Sequence, residues 1–159
     1  MNNQFTHTPS SLFPTGVCEL TVRYKRAATK RVKVKSASEV VEFMREHFYD
    51  QEEIESREKF VVMFIDRANN IFAWETVSEG GMSGTVADPR IIFRSALMSA
   101  CCSIVIAHNH PSNTNQPSAS DIQLTKNIVE AGKVLEITVL DHVIITTDSF
   151  YSFAEEGLI

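Results

Sequence analysis

The chain has little cysteine, no surplus of positive charge and no long apolar run, and each shortage removes a class of protein. Its 159 residues include three cysteines, Cys18, Cys101 and Cys102. An odd count with two adjacent thiols does not make a disulfide framework, and a reducing, cytoplasmic setting fits. Cys101 and Cys102 read as packing residues, because a free thiol behaves as a small hydrophobe. No apolar stretch approaches the length that spans a bilayer. Met1 to Ser11 lacks the basic region and apolar core of a signal peptide. The membrane is therefore not an expected partner. The formal net charge of −5 argues against a dedicated nucleic-acid surface, which is normally basic, although it leaves room for a local patch.

What remains is an ordinary globular composition, 43% hydrophobic and 22% charged, at a length suited to one domain with a full core. Residues 1–15 read as a flexible arm and residues 16–159 as a single domain. Val17 to Lys25 and Lys30 to Lys35 alternate as strands do, and Ala27-Ala28-Thr29 would close them into a hairpin. Arg23, Lys25, Arg26, Lys30, Arg31, Lys33 and Lys35 gather there. They read as a solvated edge that discourages strand addition, with contact to nucleic acid as the alternative. Ser36-Ala37-Ser38-Glu39 is a capping box. It opens a helix with Val40, Val41, Met44 and Phe48 inward, fading near Asp50, with His47 beside the core.

Phe60 to Ile65 is short, apolar and β-branched, the pattern of a central strand. Asp66 to Asn70 is a turn, and Ile71 to Val77 returns as the partner strand with Trp74 in packing. Glu79 to Gly84 is a glycine-rich loop, either a plain turn or a segment beside a cleft. It is no phosphate loop, since no Lys-Ser/Thr and no helix follow. Asp88-Pro89 supplies an N-cap and a proline at the first helical position. The helix should run to about Ala100, with Ile92, Phe93, Ala96 and Leu97 inward. Arg90 and Arg94 lie one turn apart and read as a surface pair.

The run Cys102 to Ala107 reads as a buried strand. His108 and His110 follow it. Alternate residues of a strand share a face, so both imidazoles can reach one cation. Ser118-Ala119-Ser120-Asp121 fits a capping box with Asp at its fourth position. Asp121 then sits in the first turn, where the helix dipole favours a carboxylate. Two histidines, one carboxylate and an open position form the catalytic rather than the structural zinc arrangement. The helix continues through Ile122, Thr125, Ile128 and Val129 to a stop at Gly132. Val134 to Leu140 and Val143 to Thr147 look like two further strands, with Asp141-His142 between them. His142 reads as structural, with a role beside the metal or as an extra ligand left open. Phe150 to Phe153 begins a terminal segment whose Leu158-Ile159 should pack on the sheet.

His-x-His, seven residues, Ser, two residues, Asp resembles the signature of the JAB/MPN metalloprotease family, the JAMM motif. His108-Asn109-His110-Pro111-Ser112, Pro117-Ser118, Pro89-Arg90-Ile91-Ile92-Phe93 and Asp141-His142-Val143-Ile144-Ile145 resemble its RadC branch more narrowly. Asn113 departs from the glycine common there, but Asn also tolerates a left-handed turn. The likeness runs from about Ser36 to the C-terminus.

The resemblance implies a three-layer α/β (mixed α+β) domain of the MPN/JAB, cytidine-deaminase-like type, a curved mixed sheet flanked by helices. It implies one zinc per chain on His108, His110 and Asp121. It implies a glutamate general base just before the first central strand, and Glu58 holds that place. Chemistry alone leaves Glu55, Glu75 and Glu79 open. It implies that Ser118 steadies the oxyanion. The activity implied is a peptidase or isopeptidase acting on a protein or peptide, with a possible homo-oligomer. The alternative is a DNA-repair accessory. Longer RadC relatives carry a helix-hairpin-helix region, and residues 1–35 read as too short and too strand-like for one. A deaminase is excluded because no Pro-Cys-x-x-Cys follows.

Overall fold

The computed structural model describes residues 31–49, 54–80 and 87–159. The expected arm, most of the basic hairpin, Asp50 and the glycine-rich loop after Gly80 lie outside them.

Among the described residues the order is β1 (Val32–Lys33), α1 (Ala37–His47), β2 (Lys59–Ile65), β3 (Asn70–Glu79), α2 (Pro89–Ser99), β4 (Ser103–Asn109), α3 (Ala119–Leu135), β5 (Thr138–Ile145) and β6 (Phe150–Ser152). The strands form one sheet in the order β1-β3-β2-β4-β5-β6. β2 pairs antiparallel with both β3 and β4. β4 and β5 are parallel, so the chain must cross back between them, and α3 makes that crossover.

β2 and β4 are central and covered on both faces, which is why they read as unbroken apolar runs. Their pleat divides the core in two. Val61, Met63, Ile65, Val105 and Ala107 meet Val40, Val41 and Met44 of α1. Phe60, Val62, Phe64, Ile104 and Ile106 meet Ile92, Phe93 and Ala96 of α2 and Ile128 of α3. Helix, sheet, helix pair is the three-layer mixed α/β domain expected above.

The helix starts follow their caps. Ser36 accepts from the Glu39 amide, but Glu39 Oε2 reaches the Lys35 amide at 2.8 Å, one residue short of a closed capping box. Asp88 caps α2 with proline behind it, and Ser118 caps α3 in a reciprocated box.

Several expectations need correction. His47 is exposed rather than beside the core. Leu97, Leu158 and Ile159 are exposed as well, since a half-apolar face does not say which end of it meets the sheet, whereas Trp74 packs edge-on against Phe48 with its other side in solvent. α3 does not stop at Gly132. It runs to Leu135 and ends on Glu136 in the left-handed region at φ 56°, so Val134 and Leu135 are helical. β5 is one strand, not two, and passes through Asp141-His142. Its register against β4 shifts between Val139 and Asp141. That bulge leaves Val139 on the α2/α3 face and turns Asp141 and Val143 towards α1. The break in alternation marks a bulge, not a strand end.

Gly132 has a different task from ending the helix. A Cβ there would lie 2.5 Å from the Ile137 carbonyl oxygen, so glycine permits α3 to close onto the start of β5. Gly132→Ala should destabilise the protein by roughly 1–3 kcal/mol through overpacking, although alanine is the better helix former. Urea unfolding tests this, and an unchanged or higher midpoint would remove the close-approach account.

Candidate metal centre

His108 is the penultimate residue of β4 and continues the row Ile104, Ile106 towards α3. His110 follows the strand end on the same side. α3 starts beyond the loop, and its first turn brings Asp121 to the same point. The His108 and His110 Nε2 atoms stand 3.0 Å apart. Asp121 Oδ1 lies 3.5 Å from His108 Nε2, and Oδ2 lies 3.5 Å from His110 Nε2. Zinc–ligand bonds of about 2.0–2.1 Å in a tetrahedron give ligand–ligand edges of about 3.3 Å, close to these separations, and one donor atom from each of the three side chains can converge on one ion.

The surrounding hydrogen bonds assign the tautomers. Thr125 Oγ1 lies 2.6 Å from the Asp121 carbonyl, which can only accept, so the hydroxyl proton goes there. His142 Nδ1, also 2.6 Å from that hydroxyl oxygen, must then be its donor. This leaves His142 Nε2 as the acceptor for His108 Nδ1–H at 2.8 Å. His108 therefore presents a lone pair on Nε2. His110 Nδ1 donates to the Thr114 carbonyl at 2.7 Å, so its Nε2 also presents a lone pair. Two lone pairs at 3.0 Å repel unless a cation or a proton lies between them. The donor set is built for one or the other.

The electrostatics agree. Burial, helped by His110 and opposed by Asp121, lowers the His108 pKa to about 4. His142 is fully buried and held well below 6.5 by burial first and by His108 second. His110 is raised, chiefly by its hydrogen bond to Asp121, with the Glu58 charge adding to the effect. Burial pushes Asp121 up, but hydrogen bonds from His110 and Ser118 outweigh it and hold the carboxylate ionised. Phe60 stacks on His108 and Phe153 on His142, 5.7 and 4.7 Å between ring centres. They keep the inner side of the site dry, while His110 and Asp121 face outward.

Ser118 does not stand apart from the ligands. Its amide and hydroxyl both donate to Asp121 Oδ2, at 2.7 and 2.5 Å, and its oxygen accepts from the Asp121 amide at 3.2 Å. Glu58 is half-buried at the head of β2, which pairs with β4 so that Phe60 faces His108. Of the four glutamates open on chemistry alone, Glu58 is the one whose charge acts on His110. Glu75 is bound by Arg94 and Glu79 by Arg57, and Glu55 is exposed. Arg90 pairs with Asp88, so neither Arg90 nor Arg94 is an unengaged anion hook. His47 bonds the Phe43 carbonyl of its own helix and takes no part.

One contributor escaped the sequence reading, and another was left open by it. His142, left open between a structural role, a place beside the metal and an extra ligand, lies outside the His108/His110/Asp121 cluster and orients His108. Its pairing opposite Ile106 in the parallel neighbour of β4 is not visible without the β5 bulge. Thr125 lies four residues after Asp121, one turn along the same helix face, and that spacing was a usable signal.

The stretch that carries these residues also matches known proteins. The family model described as "RadC-like JAB domain" matches residues 34–158. A protein of Methanococcoides burtonii named "UPF0758 protein" is 39% identical over 127 residues, covering 80% of this chain and 54% of that protein. A namesake from Flavobacterium johnsoniae is 40% identical over 101 residues, 64% of this chain and 44% of its own length. One from Chlorobaculum tepidum is 36% identical over 143 residues, 90% and 63% respectively. The chain thus spans about half the length of the curated relatives it matches.

Two outcomes follow from the buried relay. Removing the partner that orients a ligand typically weakens metal binding 10–100-fold. His142→Ala should therefore lower zinc affinity by about that factor in a competitive chelator titration, and undiminished affinity would contradict the relay. The second concerns the metal-free protein. With a folded pKa of about 4 against 6.5 unfolded, His108 takes its proton later than the unfolded chain does. The unfolded state therefore binds more protons between those values, and stability falls as pH drops through them, by roughly 3 kcal/mol from His108. His142 adds in the same direction, while the raised His110 contributes stability that is complete below pH 6.5 and lost above its folded pKa. Chemical unfolding at pH 7 and pH 4.5 measures this, and equal stabilities would contradict the neutral buried pair.

Proposed function

We propose that the chain, which belongs to the RadC-like JAB domain family, is a zinc-dependent hydrolase of amide bonds in proteins or peptides. The observation that carries this reading is the convergence of His108, His110 and Asp121 with both Nε2 lone pairs directed at one point. A zinc ion held there supplies a Lewis acid that acidifies water and polarises a carbonyl oxygen.

The chain's own groups do the rest. His108, fixed by His142 and Thr125, and His110, fixed by Thr114, hold their donor atoms without reorganisation. Asp121 is kept ionised by Ser118. Glu58 accepts the proton of the attacking water and returns it to the leaving amine. The Ser118 hydroxyl turns about its Cβ–Oγ bond from Asp121 to the oxygen on which negative charge develops. Phe60 and Phe153 exclude water from the inner side. One zinc per chain serves this arrangement. Free Cys101 and Cys102 agree with a cytoplasmic setting, and no helix among the described residues is long and apolar enough to cross a membrane.

Among the described residues the DNA-repair accessory reading has no comparable support. Arg31, Arg57, Arg90 and Arg94 are each engaged by a carboxylate, and the net charge is negative.

Glu58→Gln removes the proton acceptor and keeps the shape. On a panel of peptide and isopeptide substrates it should lower kcat by about 10²–10⁴-fold and leave zinc content unchanged. Hydrolysis at the wild-type rate would remove Glu58 from the mechanism. A zinc-loaded wild type that cuts no member of the panel would count against the hydrolase.

A further inference from the structure

The middle residue of His108-Asn109-His110 has no place in the chemistry above, yet it is fully buried. The pleat that sends His108 towards α3 sends Asn109 to the opposite face. There Asn109 Nδ2 donates to the Ile54 carbonyl at 2.7 Å and to the Arg57 carbonyl at 2.8 Å. Its Oδ1 accepts from the Lys59 amide at 2.8 Å. Both donors and the acceptor are used, and the partners permit only this orientation of the amide.

Arg57 O belongs to the peptide unit before Glu58, and Lys59 N to the unit after it. One side chain therefore holds both peptide planes that set φ and ψ of Glu58. The Gly80 amide grips the second plane from the β3 side, donating to Glu58 O at 2.9 Å. Asn109 itself lies between two metal ligands in the chain. Asn109 thus ties the backbone of Glu58 to the ligand set directly, beside the β2–β4 pairing that sets Phe60 opposite His108.

We propose that Asn109 is the positioning residue for Glu58, holding its backbone in fixed relation to His108 and His110. This rests on the hydrolase reading for the role of Glu58, but the anchoring stands by itself. The residue type is specific. Aspartate would set carboxylate oxygens against two carbonyls, glutamine is one methylene too long, and alanine leaves one buried carbonyl, one part-buried carbonyl and one part-buried amide without this partner.

The test uses hydrogen exchange on the full chain without metal or substrate, read over residues 54–60 and over 103–107, for wild type, Asn109→Ala and the milder Asn109→Ser. We expect exchange over 54–60 to quicken by about tenfold or more in the variants, with 103–107 unchanged and zinc still bound at one per chain. Equal exchange over 54–60, or exchange rising equally in both segments, overturns the proposal. With an active substrate, kcat should fall on the order of 10²-fold with KM nearly unchanged. Adding Asn109→Ala to Glu58→Gln should cost nothing further, because the first acts only through the second. Full multiplication of the two losses overturns the positioning role. A wild type that hydrolyses nothing would sink the hydrolase reading, and the exchange result would still decide the anchoring.

Discussion

Strand β4 is hydrogen-bonded on both sides and buried on both faces, and the rest of the site depends on that confinement. A strand gripped by β2 and β5 cannot slip by one residue without moving every side chain to the other face. The register that buries Ile104 and Ile106 under α2 and α3 therefore also aims His108 at the start of α3. The same register aims Asn109 at the segment leading into β2. The apolar packing of the sheet, which supplies most of the stability, also sets the geometry of the polar residues at its end.

Placing two imidazoles in a dry core is costly unless their nitrogens are satisfied. The chain Thr125–His142–His108 meets that demand and has a consequence for chemistry. Each proton is passed to the next acceptor, and the last free lone pair points out of the core at Asp121 and His110. Burial keeps His108 and His142 neutral, which is the form a metal needs. The partly exposed pair, His110 and Asp121, carries the charge when no cation is present. The inner half of the site is set for coordination, and the outer half can exchange a proton for an ion.

Much of this was legible in the amino-acid order. Local rules suffice for the helix starts at Ser36, Asp88 and Ser118, because a cap depends on residues two or three apart. They suffice for β2 and β4, since a strand covered on both faces is apolar throughout. The His108/His110/Asp121 cluster was legible because two of its members share a strand face and the third is fixed by its own cap. What escaped depends on distant contacts. The end of α3 is set by Glu136 accepting a left-handed conformation, while Gly132 answers to the Ile137 carbonyl across a loop. The β5 bulge answers to its neighbour β4. The roles of His142 and Asn109 depend on partners 34 and 50 to 55 residues away. No pattern within one element carries that information.

On the proposed reading, β4 and the first turn of α3 together hold one catalytic cation. Metal analysis of folded protein purified without added metal, beside the His108→Ala/His110→Ala variant, tests it most directly. We expect about one zinc per wild-type chain and none in the variant. A wild type that carries no metal and takes up none when zinc is added would contradict it.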